Sequence, residues 1–247
     1  MVQRAAAVAG RAAGVTSALR ELGFECHTAL LADVETAQLA GLFDRLPHDR
    51  PGRRLAPASL AELTSVKRVS AVVAEQLGAG VRPVRVLLLD KHDGANWALG
   101  WHQDRTIEVR ERRDVAGFGP WTLKQGRLHV TPPIALLERM ITARLHVDRV
   151  DDDNAPLIVA PGSHRLGLVE ESCIADVIAV CGRQRCLAEA GDIWLYATPI
   201  LHASGRAAPG RRRRVVQIDY SADELPGGLE WVTQREVCLG SSHSRSR

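Results

Sequence analysis

The sequence predicts a mainly β fold with helices packed on one side, and three observations predict it. Segments with helical periodicity are confined to roughly the first 80 residues. After residue 82 come short runs rich in β-branched residues, with punctuation by Gly, Pro, Asn and Asp. The two kinds of segment do not alternate as a parallel α/β sheet requires, so the pattern fits a helical flank on a β-sandwich or barrel. A chain of 247 residues suits one domain. Residues 1–240 read as that domain, with a helical flank over about 12–80, a β core over about 82–220, and 241–247 as a disordered tail.

The elements follow in order. "TSALRELGF" reads as a short amphipathic helix stopped at Gly23, and "ECHTALL" as a strand. Asp33 stands as an N-cap for the helix "VETAQLAGLFDRL", which ends before Pro47. "HDRPGRRLAP" reads as loop, and "SVKRVSAVVAEQLGAG" as a glycine-stopped helix. "VRPVRVLLLD" and "ALGWHQD" are strands. In "MITARLHVD", Ile141, Ala143, Leu145 and Val147 face one way and Thr142, Arg144, His146 and Asp148 the other. "PLIVAPG", "DIWLYAT" and "RVVQIDY" complete the strands. The stretch from Arg105 to Met140 has no clear periodicity and reads as a long lid or binding loop.

Composition removes several function classes. A net charge of +3 is too small to imply a polyanionic partner, so no nucleic acid is expected. No run approaches a membrane span, and "MVQRAAAVAGRAAGV" is too interrupted at Arg11 for a signal peptide. Five cysteines without a CxxC indicate free thiols in a reducing, cytoplasmic setting. The basic run Arg211–Arg214 lacks interleaved aromatics. On a strand, Arg211 and Arg213 face one way and Arg212 and Arg214 the other, so one side can enter a barrel while the rest is solvated.

The chemistry concentrates in "NWALGWHQDRT". His102 and Asp104 are two apart, so on a strand both reach one point. A third ligand from a distant strand would complete the two-histidine, one-carboxylate arrangement of non-haem Fe(II) sites. His202 in "PILHAS" offers it. Eleven residues on, Arg213 opens the strand through "RVVQIDY" and offers a bidentate fork for a carboxylate. A second pair of the same spacing, His146 and Asp148, competes with the first, and Asp148 more readily shapes the "DRVDDDN" turn. His164 in "PGSHR" reads as structural, and Arg144 as a candidate to enter the barrel.

Taken together, "LLLDKHDGANWALGWHQD", "RLHVDRVDDDNAPLIVAPGSHRLG" and "GDIWLYATPILHASG…RRRRVV" resemble the phytanoyl-CoA dioxygenase family of Fe(II)/2-oxoglutarate oxygenases over roughly residues 84–220. The resemblance implies a double-stranded β-helix, a cupin-like jelly roll. It implies His102, Asp104 and His202 as iron ligands and Arg213 as the partner of 2-oxoglutarate. Ser204 and Lys91 match further contacts to that cosubstrate. It also implies O2 as cosubstrate, hydroxylation of an unactivated C–H bond in a small-molecule substrate, and release of succinate and CO2. Asp104 stands where halogenating relatives carry a small residue, which argues against halogenation. One departure is Asn154-Ala155-Pro156-Leu157, where the family pattern has glycine in place of Ala155. The competing reading is a catalytically silent jelly roll that binds a small molecule or metal. The substrate and the oligomeric state have no readable signature.

Overall fold

The computed structural model describes residues 18–47 and 52–232. The N-terminal leader-like stretch, the 241–247 tail and Cys238 lie outside them. The chain begins with α1 (Ala18–Glu21), β1 (Phe24–His27), α2 (Asp33–Asp44), β2 (Gly52–Leu55) and α3 (Thr64–Leu77). It continues through β3 (Arg82–Lys91), β4 (Leu99–His102), β5 (Ile107–Glu108), β6 (Trp121–Lys124), β7 (Arg127–Val130), α4 (Ile134–Leu137) and β8 (Ile141–His146). The last elements are β9 (Leu157–Val159), α5 (Ile174–Cys181), β10 (Gln184–Cys186), β11 (Ile193–Ala197), β12 (His202–Ser204) and β13 (Arg213–Ser221).

The strands form a six-stranded sheet, β1-β11-β8-β13-β3-β2, and a four-stranded sheet, β10-β9-β12-β4. A third sheet, β5-β7-β6, lies within the stretch read as a loop. Its strands are short and one ends in a turn with left-handed Gln125 and Gly126, so periodicity had little length over which to show. Likewise "HDRPGRRLAP" supplies the edge strand β2. The N-cap of α2 is Ala32 rather than Asp33, because the Glu35 carboxylate accepts the Ala32 amide at 2.8 Å and draws the first turn one residue forward. α3 stops where Gly78 takes φ 93°, as its glycine suggested.

The six-stranded sheet is buried on both faces. On the outer face, Val86, Leu88, Ala143, Leu145, Ile193, Leu195, Val216 and Ile218 pack against Leu39 and Phe43 of α2 and Val66, Val69 and Val73 of α3. These helical positions recur at three or four residues, so each helix lays one stripe on the sheet. The inner face carries the alternate residues, and strand register lines them up in rows. Lys91 pairs with Arg213. Val215 pairs with Leu89 and His146. Arg54 pairs with Leu87, Leu87 with Gln217, and Gln217 with Arg144. Arg85 pairs with Asp219, Asp219 with Thr142, and Thr142 with Tyr196. The helical flank thus takes the apolar side of every strand and leaves a polar wall facing the smaller sheet. Among the described residues no helix is long and apolar enough to cross a membrane.

The departure at Ala155 has a conformational consequence. Ala155 takes φ 49°, the left-handed region, and its carbonyl accepts from the Arg213 guanidinium. A left-handed alanine costs about 1–2 kcal/mol, and glycine gives back part of that gain through its looser unfolded chain. Ala155→Gly is therefore expected to stabilise the fold by roughly 0.5–1 kcal/mol and raise the melting temperature by about 1–4 °C. Thermal unfolding followed by circular dichroism checks this, and an unchanged or lower midpoint would refute it.

Candidate active site

Strands β4 and β12 lie antiparallel with His102 directly opposite His202, which brings their ring centroids to 4.2 Å. Each ring is anchored by its Nδ1. His102 bonds Gly100 O at 2.8 Å and His202 bonds Ile200 O at 2.9 Å. A carbonyl can only accept, so Nδ1 carries the proton in both rings and each Nε2 keeps its lone pair for a cation. Asp104 lies just past the end of β4, not on it as the sequence suggests. It still reaches the same point, because one ligand atom from each of His102, Asp104 and His202 lies within 4.8 Å of the others. Burial holds His202 down at about 4, against an opposing pull from Asp104, so its ring is neutral near pH 7 as metal ligation requires.

Two residues that sequence reasoning missed hold this arrangement. Arg85, nearly fully buried, reaches Asp104 Oδ2 at 3.1 Å and Asp219 Oδ2 at 2.6 Å. Burial alone would push the Asp104 carboxyl up. Arg85, with His202 and His102, outweighs it and keeps the carboxyl ionised below its ordinary range. Gln103, between the two ligand positions, points the other way. Its amide donates to Gly167 O and Pro199 O at 2.8 Å and its oxygen accepts from Val169 N at 2.9 Å. That ties β4 to the approaches of both α5 and β12. Neither signal is readable from sequence, since an arginine within "VRPVRVLLLD" looks like an edge polar residue.

Beside the triad the two sheets enclose a cationic hollow. Lys91 donates to Ser204 Oγ at 2.9 Å and Gly205 O at 2.5 Å, and sits 4.7 Å over the Trp97 ring. Arg213 is 2% exposed and Arg144 5%, and the Nε of each is buried without a partner. Both ring nitrogens of His146 and the Tyr196 hydroxyl are also unpartnered. Among the described residues no carboxylate lies within ion-pairing distance of Lys91, Arg144 or Arg213. Burial, then Arg213 and Arg144, draws the Lys91 ammonium down to about 7, and burial with Arg144 draws Arg213 down to about 9. Buried donors without acceptors are costly, so this arrangement fits an anion with several carboxylate oxygens.

The sequence-derived residues fall into place unevenly. His102, Asp104 and His202 come together, as do Lys91, Ser204 and Arg213. Arg144 does enter the interior. The competing pair separates: His146 faces the hollow, whereas Asp148 faces out and takes the Arg214 guanidinium at 2.7 and 3.0 Å. The flanking arginines are not simply solvated, for Arg211 pairs with Asp151 and Arg212 with Asp90. His164 bonds Arg20 O at 3.2 Å, a packing role. A cleft of about 610 Å³ runs between β4 and α5 and touches His102, but its Trp101, Gln103 and Arg105 alternate with the ligand positions and line the far side of β4.

A double-stranded β-helix holding two histidines and a carboxylate beside a counterion-free basic hollow defines the class of non-haem Fe(II)/2-oxoglutarate oxygenases. The chain belongs to the phytanoyl-CoA dioxygenase family, whose model matches residues 58–215. It is 28% identical to the L-proline trans-4-hydroxylase of Streptomyces griseoviridis, over 60% of this chain and 58% of that one, so it spans little more than half of that relative's length. The fold is shared with EctD from S. alaskensis with bound Fe (TM-score 0.61, 18% identity, 83% of this chain and 74% of that one). It is shared too with HygX from Streptomyces hygroscopicus with nickel and 2-oxoglutarate bound (TM-score 0.57, 17% identity, 82% and 84%). The epimerase SnoN in complex with Fe3+, alpha ketoglutarate and nogalamycin RO has the same fold (TM-score 0.58, 17% identity, 85% and 88%).

Arg85 is expected to set metal affinity. Residues that orient a ligand typically contribute about 10–100-fold to metal binding. Arg85→Met should weaken Co(II) binding by roughly that factor, measured by anaerobic titration of the visible Co(II) bands in folded protein. An affinity equal to wild type would show that Asp104 is held without it.

Proposed function

We propose that this chain is an Fe(II)- and 2-oxoglutarate-dependent oxygenase that hydroxylates an unactivated C–H bond of a small molecule. One observation carries the reading: three buried cations without counterions stand beside two histidines and a carboxylate already converged on one point. The metal would be held by His102, Asp104 and His202. The distal carboxylate of 2-oxoglutarate would be held by Arg213, with Ser204 and Lys91 completing the grip. Bound there, Fe(II) with 2-oxoglutarate and O2 supplies oxidative decarboxylation to succinate and CO2, coupled to transfer of one oxygen atom into a C–H bond.

The chain's own groups contribute orientation, charge and dryness. The carbonyls of Gly100 and Ile200 fix the ring tautomers, and Arg85 fixes the carboxylate. Arg213 offers a planar fork and stays anchored by the Ala155 carbonyl. Arg144, which has no hydrogen-bonding partner among the described residues, is free to bind a second carboxylate oxygen of the cosubstrate. Tyr196, with its ring centroid 5.6 Å from that of His202, closes the wall with apolar area. A hollow this dry strengthens each charge interaction relative to water.

The reading is tested by anaerobic titration with Fe(II), with and without 2-oxoglutarate, following the visible charge-transfer band. Wild type should show a band that needs both additions, and His102→Ala or His202→Ala should abolish it. Absence of a band in folded wild type would favour the silent jelly roll. Arg213→Ala should raise the 2-oxoglutarate dissociation constant by tenfold or more, the scale expected when a charged partner is removed.

Affinity for 2-oxoglutarate should also depend on pH in a stated direction. A bound dianion favours protonated Lys91, whose free value lies near 7. Binding is then strongest below that value and weakens as pH rises through it, by up to about tenfold per unit if one proton is taken up. Lys91→Met should flatten this slope between pH 7 and 8. A slope that persists in the variant would assign the proton elsewhere.

A further inference from the structure

We propose that the substrate is a small acid, and that Arg54 and Lys124 receive its anionic group beside Asp104. The proposal rests on the oxygenase reading and deepens it. Arg54 lies on the edge strand β2 in the inner-face row Arg54–Leu87–Gln217, and the Gln217 amide reaches Asp104 Oδ2 at 3.5 Å. The β6–β7 hairpin closes over that edge. Gln125 at its turn accepts from Arg54 N at 3.1 Å and donates to Gly52 O at 2.9 Å, clasping β2 on both sides of Arg53. The next residue back, Lys124, is thereby turned inward, where its ammonium donates at 3.0 Å to Thr106 Oγ1, two residues after Asp104. Arg54, Lys124 and the carboxylate of the triad therefore lie together at the β2 edge of the inner face, whereas Lys91 and Arg213 lie on the central strands β3 and β13.

The charges around this space do not balance. Arg85 is taken by Asp219 and Asp104, and Arg127 by Glu108 at 2.6 Å. Arg54 and Lys124 have no carboxylate within ion-pairing distance among the described residues, and the Arg54 Nε is shielded from solvent with no acceptor. Four cations thus face three carboxylates, a surplus of one. Arg54 and Lys124 are the two that no carboxylate takes, and an anionic group on the substrate would supply the counter-charge they lack. Both free cations are also electrostatically uncomfortable: burial, then Arg85, pulls each below its ordinary range, and each opposes the other or a neighbouring arginine. His129, fully buried and held neutral by that burial, adjoins them and donates its Nδ1 proton to Arg127 O at 3.0 Å, so it adds no positive charge to the edge. A substrate without a negative group would leave both half-buried cations, and the shielded Arg54 Nε, without an acceptor.

The test uses the protein loaded anaerobically with Fe(II) and saturating 2-oxoglutarate, so that no acid can occupy the cosubstrate hollow. Acetate, butyrate, cyclopentanecarboxylate and benzoate are titrated, each beside its primary amide, and shifts of the charge-transfer band and of the melting temperature are read. At least one acid should bind ten times or more tightly than its amide. Arg54→Gln and Lys124→Met should each weaken that acid by tenfold or more, while 2-oxoglutarate affinity stays within twofold and Arg54→Lys retains most of the binding. Acids that bind no better than amides, no binding by any acid, or undiminished binding in the two variants would each overturn the proposal. Failure of the charge-transfer band to form at all would instead sink the oxygenase reading on which it rests.

Discussion

A single buried guanidinium joins the two sheets at the point where the chemistry would occur. Arg85 rises from the six-stranded sheet, pairs with Asp219 on the adjacent strand, and crosses the interior to Asp104 at the end of the smaller sheet. Breaking a buried pair by removing one partner commonly costs about 3–5 kcal/mol, because a charge is left without compensation. Here the same guanidinium that satisfies Asp219 through Nε also fixes the direction of a candidate metal ligand through a terminal nitrogen. Structural cost and ligand geometry are therefore coupled: Asp104 cannot swing away without giving up one of the two carboxylates that compensate Arg85. Gln103 does a similar job from the other side, since its three backbone partners hold the loops on which Asp104 and His202 depend.

The helical flank makes this interior possible. A sheet must bury one face against something apolar, and α2 and α3 take that face of the large sheet completely. The other face is then free to be polar, and register distributes its charges in ordered rows. Lys91 and Arg213 form one end, Arg144 and Gln217 the middle, Arg85 and Asp219 the level of the triad. On the inner face, basic groups without a carboxylate partner gather at the Lys91–Arg213 end and the Arg54–Lys124 edge. In the arginine run, Arg211, Arg212 and Arg214 are matched by Asp151, Asp90 and Asp148. A run of four arginines that resembles a polyanion-binding patch is thus three outward ion pairs and one inward fork.

How much of this could be read from the sequence depends on how local each signal is. The strand "MITARLHVD" was legible because its alternation is carried by contiguous residues, and the same holds for α3 and its terminal glycine. His102, Asp104, His202 and Arg213 were legible because their chemistry and spacing are unusual together. The β5-β7-β6 sheet was not, since strands of two to four residues give no period to detect. Arg85 and Arg54 were hidden for a different reason. Each matters only through residues far along the chain, Asp219 for Arg85 and Gln125 for the backbone of Arg54, and such pairing is a tertiary property. The departure at Ala155 falls where the turn takes a positive φ. Its left-handed carbonyl is what anchors Arg213, so the strain is kept at a place where it orients a binding group.

Unpaired buried cations also imply something about the unliganded fold. Lys91, Arg144 and Arg213 share a dry space, and the depressed values of Lys91 and Arg213 express first their burial and then their mutual repulsion. A ligand that binds only the folded state stabilises it by mass action, and the gain grows with its concentration relative to its dissociation constant. A dianion held in the hollow would therefore be more than a reactant: it would supply counter-charge that this part of the interior lacks. The same logic applies at the Arg54–Lys124 edge, where a bound anionic group would meet two half-buried cations that have no carboxylate partner among the described residues.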